Sequence, residues 1–128
     1  MSLFKKISIL AKSFRLLFHQ TKQEKATFEN INADDVENLY KTNKKDFIWL
    51  DVRSRLEYKQ KHIPGSKLIP IDELETRISE VGPKGEKYVV YCAAGGRSAA
   101  ACVILNKYGY KHLLNAPGMN AWKGPVES

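Results

Sequence analysis

The run Tyr88-Val89-Val90-Tyr91-Cys92-Ala93-Ala94-Gly95-Gly96-Arg97-Ser98 holds the architecture of the chain in miniature. Tyr88 to Tyr91 is β-branched and aromatic, the composition of a half- or fully buried strand. Four small residues and Arg97 follow, and then Ser98 leads into Ala99-Ala100-Ala101-Cys102-Val103-Ile104-Leu105. That run predicts a helix starting near Ser98, apolar on nearly every side and therefore largely buried, with Gly109 as its stop. A strand that yields to a helix within a few residues is half of a βαβ unit.

Outward from this unit the same alternation continues. Asn32 is an N-cap for a helix through Ala33–Tyr40, with Asp34 and Asp35 placed where the helix dipole favours acids. Phe47–Leu50 predicts a strand buried on both faces and ends in Asp51-Val52-Arg53. A helical stretch from Ser54 to Lys61, a turn at Ile63-Pro64-Gly65 and a short strand Lys67–Pro70 come next, the proline favouring a sheet edge. Leu74, Ile78 and Val81 give Asp72–Val81 a helical period that Gly82 ends. His112–Asn115 predicts a last strand before a turn closing near Trp122. Strands alternating with helices define an α/β fold with a mostly parallel sheet.

Composition narrows the class. With 128 residues and 43% apolar content the chain can bury one continuous core without disulfides. Two cysteines are too few for a disulfide scaffold and suit a reducing, cytoplasmic setting. The longest apolar run, Ala99–Leu105, is far short of the ~20 residues of a membrane span. Of the net charge of +7, residues 1–23 supply +5 through Lys5, Lys6, Lys12, Arg15 and Lys22 without one acid. The remaining +2 leaves the body nearly balanced, which argues against a nucleic-acid partner.

This basic start sets the domain division at 1–25 and 26–128. Phe4, Ile7, Leu10, Ala11, Phe14, Leu17 and Phe18 recur at helical steps, predicting an extra N-terminal amphipathic helix. Its apolar face needs a cover: the chain's own domain, a partner, or a membrane surface contacted peripherally through residues 1–20.

Cys92 stands directly after a strand, where parallel α/β sheets bind ligands. A following helix N-terminus favours a thiolate over a thiol. The backbone N–H groups of Ala93, Ala94, Gly95 and Gly96 can curl into a nest, and Arg97 adds a cationic fork suited to an oxyanion. A cysteine phosphatase would place five residues between Cys and Arg; here there are four, a tighter nest that suits a single terminal sulfur.

Together with Asp51-Val52-Arg53, Glu57-Tyr58, His62-Ile63-Pro64-Gly65-Ser66 and Gly118 before Trp122, this loop makes residues 28–122 resemble a single-domain rhodanese, the sulfurtransferase family. The resemblance implies a compact rhodanese-like domain with a central, mostly parallel five-stranded sheet flanked by helices. It also implies a catalytic Cys92 that takes a sulfane sulfur from a donor such as thiosulfate and passes it, as a persulfide, to a thiol or protein acceptor. The chain departs from the family pattern at Lys61 and Pro117, where glycines are usual.

On this reading Ala93, Ala94, Gly95, Gly96, Arg97 and Ser98 bind substrate, with Ser98 at the helix start facing the loop. Asp51, Arg53 and His62 support the site: Asp51 as a hydrogen-bonding tie, Arg53 paired with Glu57, and His62 as an anchor or pocket wall. Trp49 and Trp122 read as packing aromatics, and Cys102 as a buried spacer. No metal or organic cofactor is expected, because His19, His62 and His112 are scattered. The competing reading is a non-catalytic scaffold of the same fold that holds a partner protein, at a membrane surface if residues 1–20 recruit it.

Overall fold

The computed structural model describes residues 26–128, so the expected N-terminal helix, and with it the division at residue 25, lies outside the described residues. Five parallel strands form one sheet: β1 (Glu29–Asn30), β2 (Phe47–Asp51), β3 (Lys67–Leu68), β4 (Lys87–Tyr91) and β5 (Leu113–Asn115). They lie in the order β1-β5-β4-β2-β3. The helices are α1 (Ala33–Asn43), α2 (Arg55–Gln60), α3 (Ile71–Leu74) and α4 (Gly96–Lys107), with 3₁₀ turns at Lys44–Asp46, Ile78–Glu80 and Met119–Ala121. Among the described residues no helix is long and apolar enough to cross a membrane.

Side-chain alternation along β4 divides the interior in two. Tyr88 and Val90 join Leu50, Leu74, Val81, Cys102 and Leu105 on one face of the sheet. Val89 and Tyr91 join Val36, Trp49, Ile63 and Met119 on the other. All four β4 residues from Tyr88 to Tyr91 are fully buried, and each such valine contributes about 1.5–3 kcal/mol by leaving water. Cys92 continues the alternation, so it falls on the α4 side of the sheet, with Val90. Strand period alone thus aims the sulfur at the start of α4. The aromatics expected to pack do so edge to face, Trp49 against Tyr40 at 5.1 Å and Trp122 against Tyr40 at 5.4 Å between ring centroids.

The five-stranded sheet expected from the resemblance is present, with one strand the sequence did not reveal, and three local expectations are corrected. The fifth strand, β1, is two exposed polar residues with no apolar pattern to announce it; it forms because its backbone pairs with β5. Asp72–Val81 is not one helix: α3 stops at Leu74, and the chain turns until the 3₁₀ segment at Ile78. There the Thr76 hydroxyl donates to the Glu73 carbonyl and the Arg77 N–H is shared between Glu73 and Leu74, so the α-ladder tightens and ends. α4 begins at Gly96, two residues before Ser98, because Gly95 takes φ +98 and caps it, a backbone state that favours glycine. α4 is also less buried than its composition implies, since it crosses one face of the sheet and leaves Val103 half exposed. The proline-marked strand does lie at the sheet edge, ending at Leu68.

Candidate active site

β4 delivers Cys92 and α4 receives it. Three hydrogen bonds converge on the sulfur: the Gly95 N–H donates at 3.1 Å, the Ser98 N–H at 3.3 Å, and the Ser98 hydroxyl lies 3.4 Å away. Ser98 is the third residue of α4, in its first turn, fully buried, with both its polar groups turned to Cys92. Burial opposes ionisation of the thiol, yet the Ser98 hydroxyl and the Ser98, Gly95 and Ala94 amides outweigh it. The net result lowers the Cys92 pKa below that of an ordinary thiol. Removing one of these donors reverses the sign of its effect: Ser98→Ala leaves the thiolate less stabilised, so its pKa rises. The pH at half-maximal iodoacetamide reactivity is expected to move up by about one unit. An unchanged midpoint would show that the hydroxyl does not hold the thiolate.

The loop carbonyls are fixed from behind. Met119 N–H donates to the Cys92 carbonyl and Asn120 N–H to the Ala93 carbonyl, each at 2.9 Å. Gly118 opens this segment at φ +96 and ψ −175. With their carbonyls engaged there, the peptides of the loop are held in one orientation while Gly95 and Ser98 present their N–H groups to the sulfur. The sequence marked Gly118 but not Met119 or Asn120; their contribution is made by backbone atoms, to which residue type gives no clue. Asn115 was missed for a different reason. It is a buried amide on β5 that donates to the Asn30 side chain at 3.0 Å and to the Gly95 carbonyl at 3.4 Å, ties that appear only once the sheet has formed.

The two arginines have other partners than expected. Arg53 does not pair with Glu57; its guanidinium is buried and clamps Asp51, from Nη2 to Oδ2 at 2.7 Å, while Nη2 also donates to the Lys61 carbonyl at 2.7 Å. Asp51 additionally accepts the Arg53 N–H at 2.9 Å, a bond within its own loop. Glu57 is drawn away by its place in α2. It forms a reciprocal capping box with Ser54, and its carboxylate grips Arg97 bidentately, Nη1 to Oε1 at 2.7 Å and Nη2 to Oε2 at 3.0 Å. The Arg97 bonds hold the Glu57 carboxyl at about 2, so the pair stays ionic through neutral pH. The fork expected to face an oxyanion therefore faces a carboxylate, which fixes Arg97 on the first turn of α4.

His62 is held through both ring nitrogens and by stacking. Its ring stacks on Tyr58 at 3.6 Å, Nδ1 donates to the Tyr58 carbonyl at 2.7 Å, and Nε2 faces the Glu127 carboxylate at 3.2 Å. Cys102 is fully buried, and burial pushes its thiol up to about 12, the opposite direction from Cys92. Ala93, Ala94 and Gly96 place small or absent side chains around the loop, leaving it accessible from outside.

A parallel sheet with a cysteine just beyond the end of a central strand, its sulfur met by two main-chain amides and a hydroxyl, defines an α/β thiol site. Residues 32–125 match the family model described as a rhodanese-like domain, and the chain belongs to that family. It is 42% identical over 72 residues to the thiosulfate sulfurtransferase PspE of Escherichia coli, covering 56% of this chain and 69% of PspE. It is also 42% identical over 79 residues to YrkF of Bacillus subtilis, covering 61% of this chain but only 42% of YrkF. Among solved structures, a rhodanese-related protein from Thermoplasma volcanium superposes with a TM-score of 0.66 at 36% identity, covering 77% of this chain and 97% of that one.

Proposed function

We propose that the chain is a sulfurtransferase that carries a sulfane sulfur on Cys92, taken from an anionic donor such as thiosulfate. The observation that carries this reading is the convergence of two amides and a hydroxyl on the Cys92 sulfur, with its pKa lowered despite burial. A packing cysteine gains nothing from such donors, whereas a nucleophile and leaving group needs them.

The cycle has two displacements. The Cys92 thiolate attacks the outer sulfur of thiosulfate; a new S–S bond forms, the donor's S–S bond breaks, and sulfite leaves with the electron pair. The persulfide's outer sulfur then lies about 2.05 Å beyond Sγ, a normal S–S length, within the loop of small residues. An acceptor such as cyanide or a thiolate attacks that sulfur, and Cys92 departs as the thiolate the loop stabilises. Gly95, Ser98 and the adjoining amides hold charge on sulfur at both steps, and Arg97 with Glu57 holds the loop to α2. Neither step consumes an oxidant or reductant. Residues 26–128 constitute the catalytic unit.

Intact-mass measurement after thiosulfate treatment is expected to show a gain of ~32 Da, one sulfur atom, located on Cys92 and removed by cyanide. Folded protein with a reduced Cys92 and no adduct would favour the scaffold reading.

A further inference from the structure

We infer that Lys61 is the anion-recognition group of the donor pocket and selects sulfane-sulfur donors that carry an oxyanion end, an inference that rests on the sulfurtransferase reading above. A cavity of about 540 Å³ opens beside the catalytic loop, walled by Ala93 on one side, by Arg53, by Glu57 and Gln60 of α2 with Lys61 just beyond it, and by Met119 and Asn120. It is much larger than one water and mostly polar in its walls, the kind of concavity that takes a small polar ligand.

Three cationic side chains stand near this mouth, and two are already neutralised. Arg53 is clamped on Asp51, and Arg97 on Glu57. A guanidinium held bidentately by a carboxylate presents almost no net charge to an approaching dianion. Lys61 is exposed and forms no ion pair among the described residues, so it carries the one uncompensated charge in the lining.

The lysine's base is nonetheless fixed. Its N–H donates to the Glu57 carbonyl at 3.2 Å, and its own carbonyl accepts from Arg53 at 2.7 Å. The backbone is extended there, with φ −170, a conformation open to any residue. A flexible four-carbon stem thus swings from a rigid point at the rim, able to meet the oxygens of a donor whose outer sulfur enters the loop. Gln60 and Asn120 add neutral amides on either side.

The test compares two donors with the full chain and cyanide as acceptor: thiosulfate, which has an oxyanion end, and 2-hydroxyethyl persulfide, which has none. Lys61→Ala is expected to raise the ratio of KM for thiosulfate to KM for the persulfide about five- to tenfold at low ionic strength, with kcat for thiosulfate within about twofold. The change should fade in about 0.5 M salt, be restored by Lys61→Arg and be exceeded by Lys61→Glu. Circular dichroism of each variant confirms the fold. A ratio unchanged by Lys61→Ala, or an effect insensitive to salt, overturns the role of Lys61 while leaving the sulfurtransferase reading intact. Failure of the unmodified chain to accept sulfur from either donor overturns that reading and this inference with it.

Discussion

Cys92→Ser is expected to lower thiosulfate-to-cyanide transfer at least about a thousandfold, because a serine hydroxyl at neutral pH is neither ionised nor able to form a persulfide. Serine fits the space and can keep the bonds to Gly95 and Ser98, so the melting temperature should move by no more than a few degrees. Initial-rate assays and calorimetry on the same preparation separate the two quantities. Retention of more than a tenth of the activity would remove Cys92 from the chemistry. A large fall in melting temperature would instead make the sulfur a packing element.

The second large effect is on the backbone. Gly118 sits at φ +96 and ψ −175, a region that essentially only glycine enters. A Cβ placed there would lie 2.3 Å from the Cys92 carbonyl oxygen and 2.7 Å from that of Ala93. Those are the two carbonyls that receive Met119 and Asn120, so they have no free direction in which to retreat. Gly118→Ala is therefore expected to cost about 3 kcal/mol or more, lowering the melting temperature by about 12 °C or more, and to depress sulfur transfer in the fraction that still folds. Gly85→Ala is the control: its added methyl meets nothing within 4 Å, and melting should be nearly unchanged. Equal melting temperatures for the two variants would contradict the close approach of residue 118 to the catalytic loop.

The sequence announced the fold wherever burial leaves a pattern. β4 and β2 are continuous apolar runs because both their faces are covered, and α1 carries in Asn32 a side-chain cap legible in the sequence. β1 left no such trace, since two exposed residues paired by backbone alone have no composition to betray them. At the site, Cys92, Gly95 and Ser98 follow from local order, as the strand, loop and helix are consecutive. The partners of Arg53 and Arg97 do not. Asp51 and Glu57 lie near both, and the capping box that holds Glu57 at the start of α2 leaves its carboxylate to Arg97, a detail of rotamers and not of spacing. Arg97 and Glu57 are 40 residues apart in the chain, and a pair at such separation has no local signature.

The contrast between the two thiols bears on how such a protein ages. A sulfur that ionises easily also meets peroxide easily, and its first product is a sulfenic acid. Rescue within the same molecule requires a second thiolate, but Cys102, at about 12, stays protonated in neutral solution. Repair must consequently arrive from outside, from a small thiol able to reach the open side of the Cys92 loop. On the proposed persulfide cycle, peroxide would oxidise the outer sulfur, which is still joined to Cys92 by an S–S bond that a thiol can cleave, so abundance of donor would double as protection against irreversible oxidation.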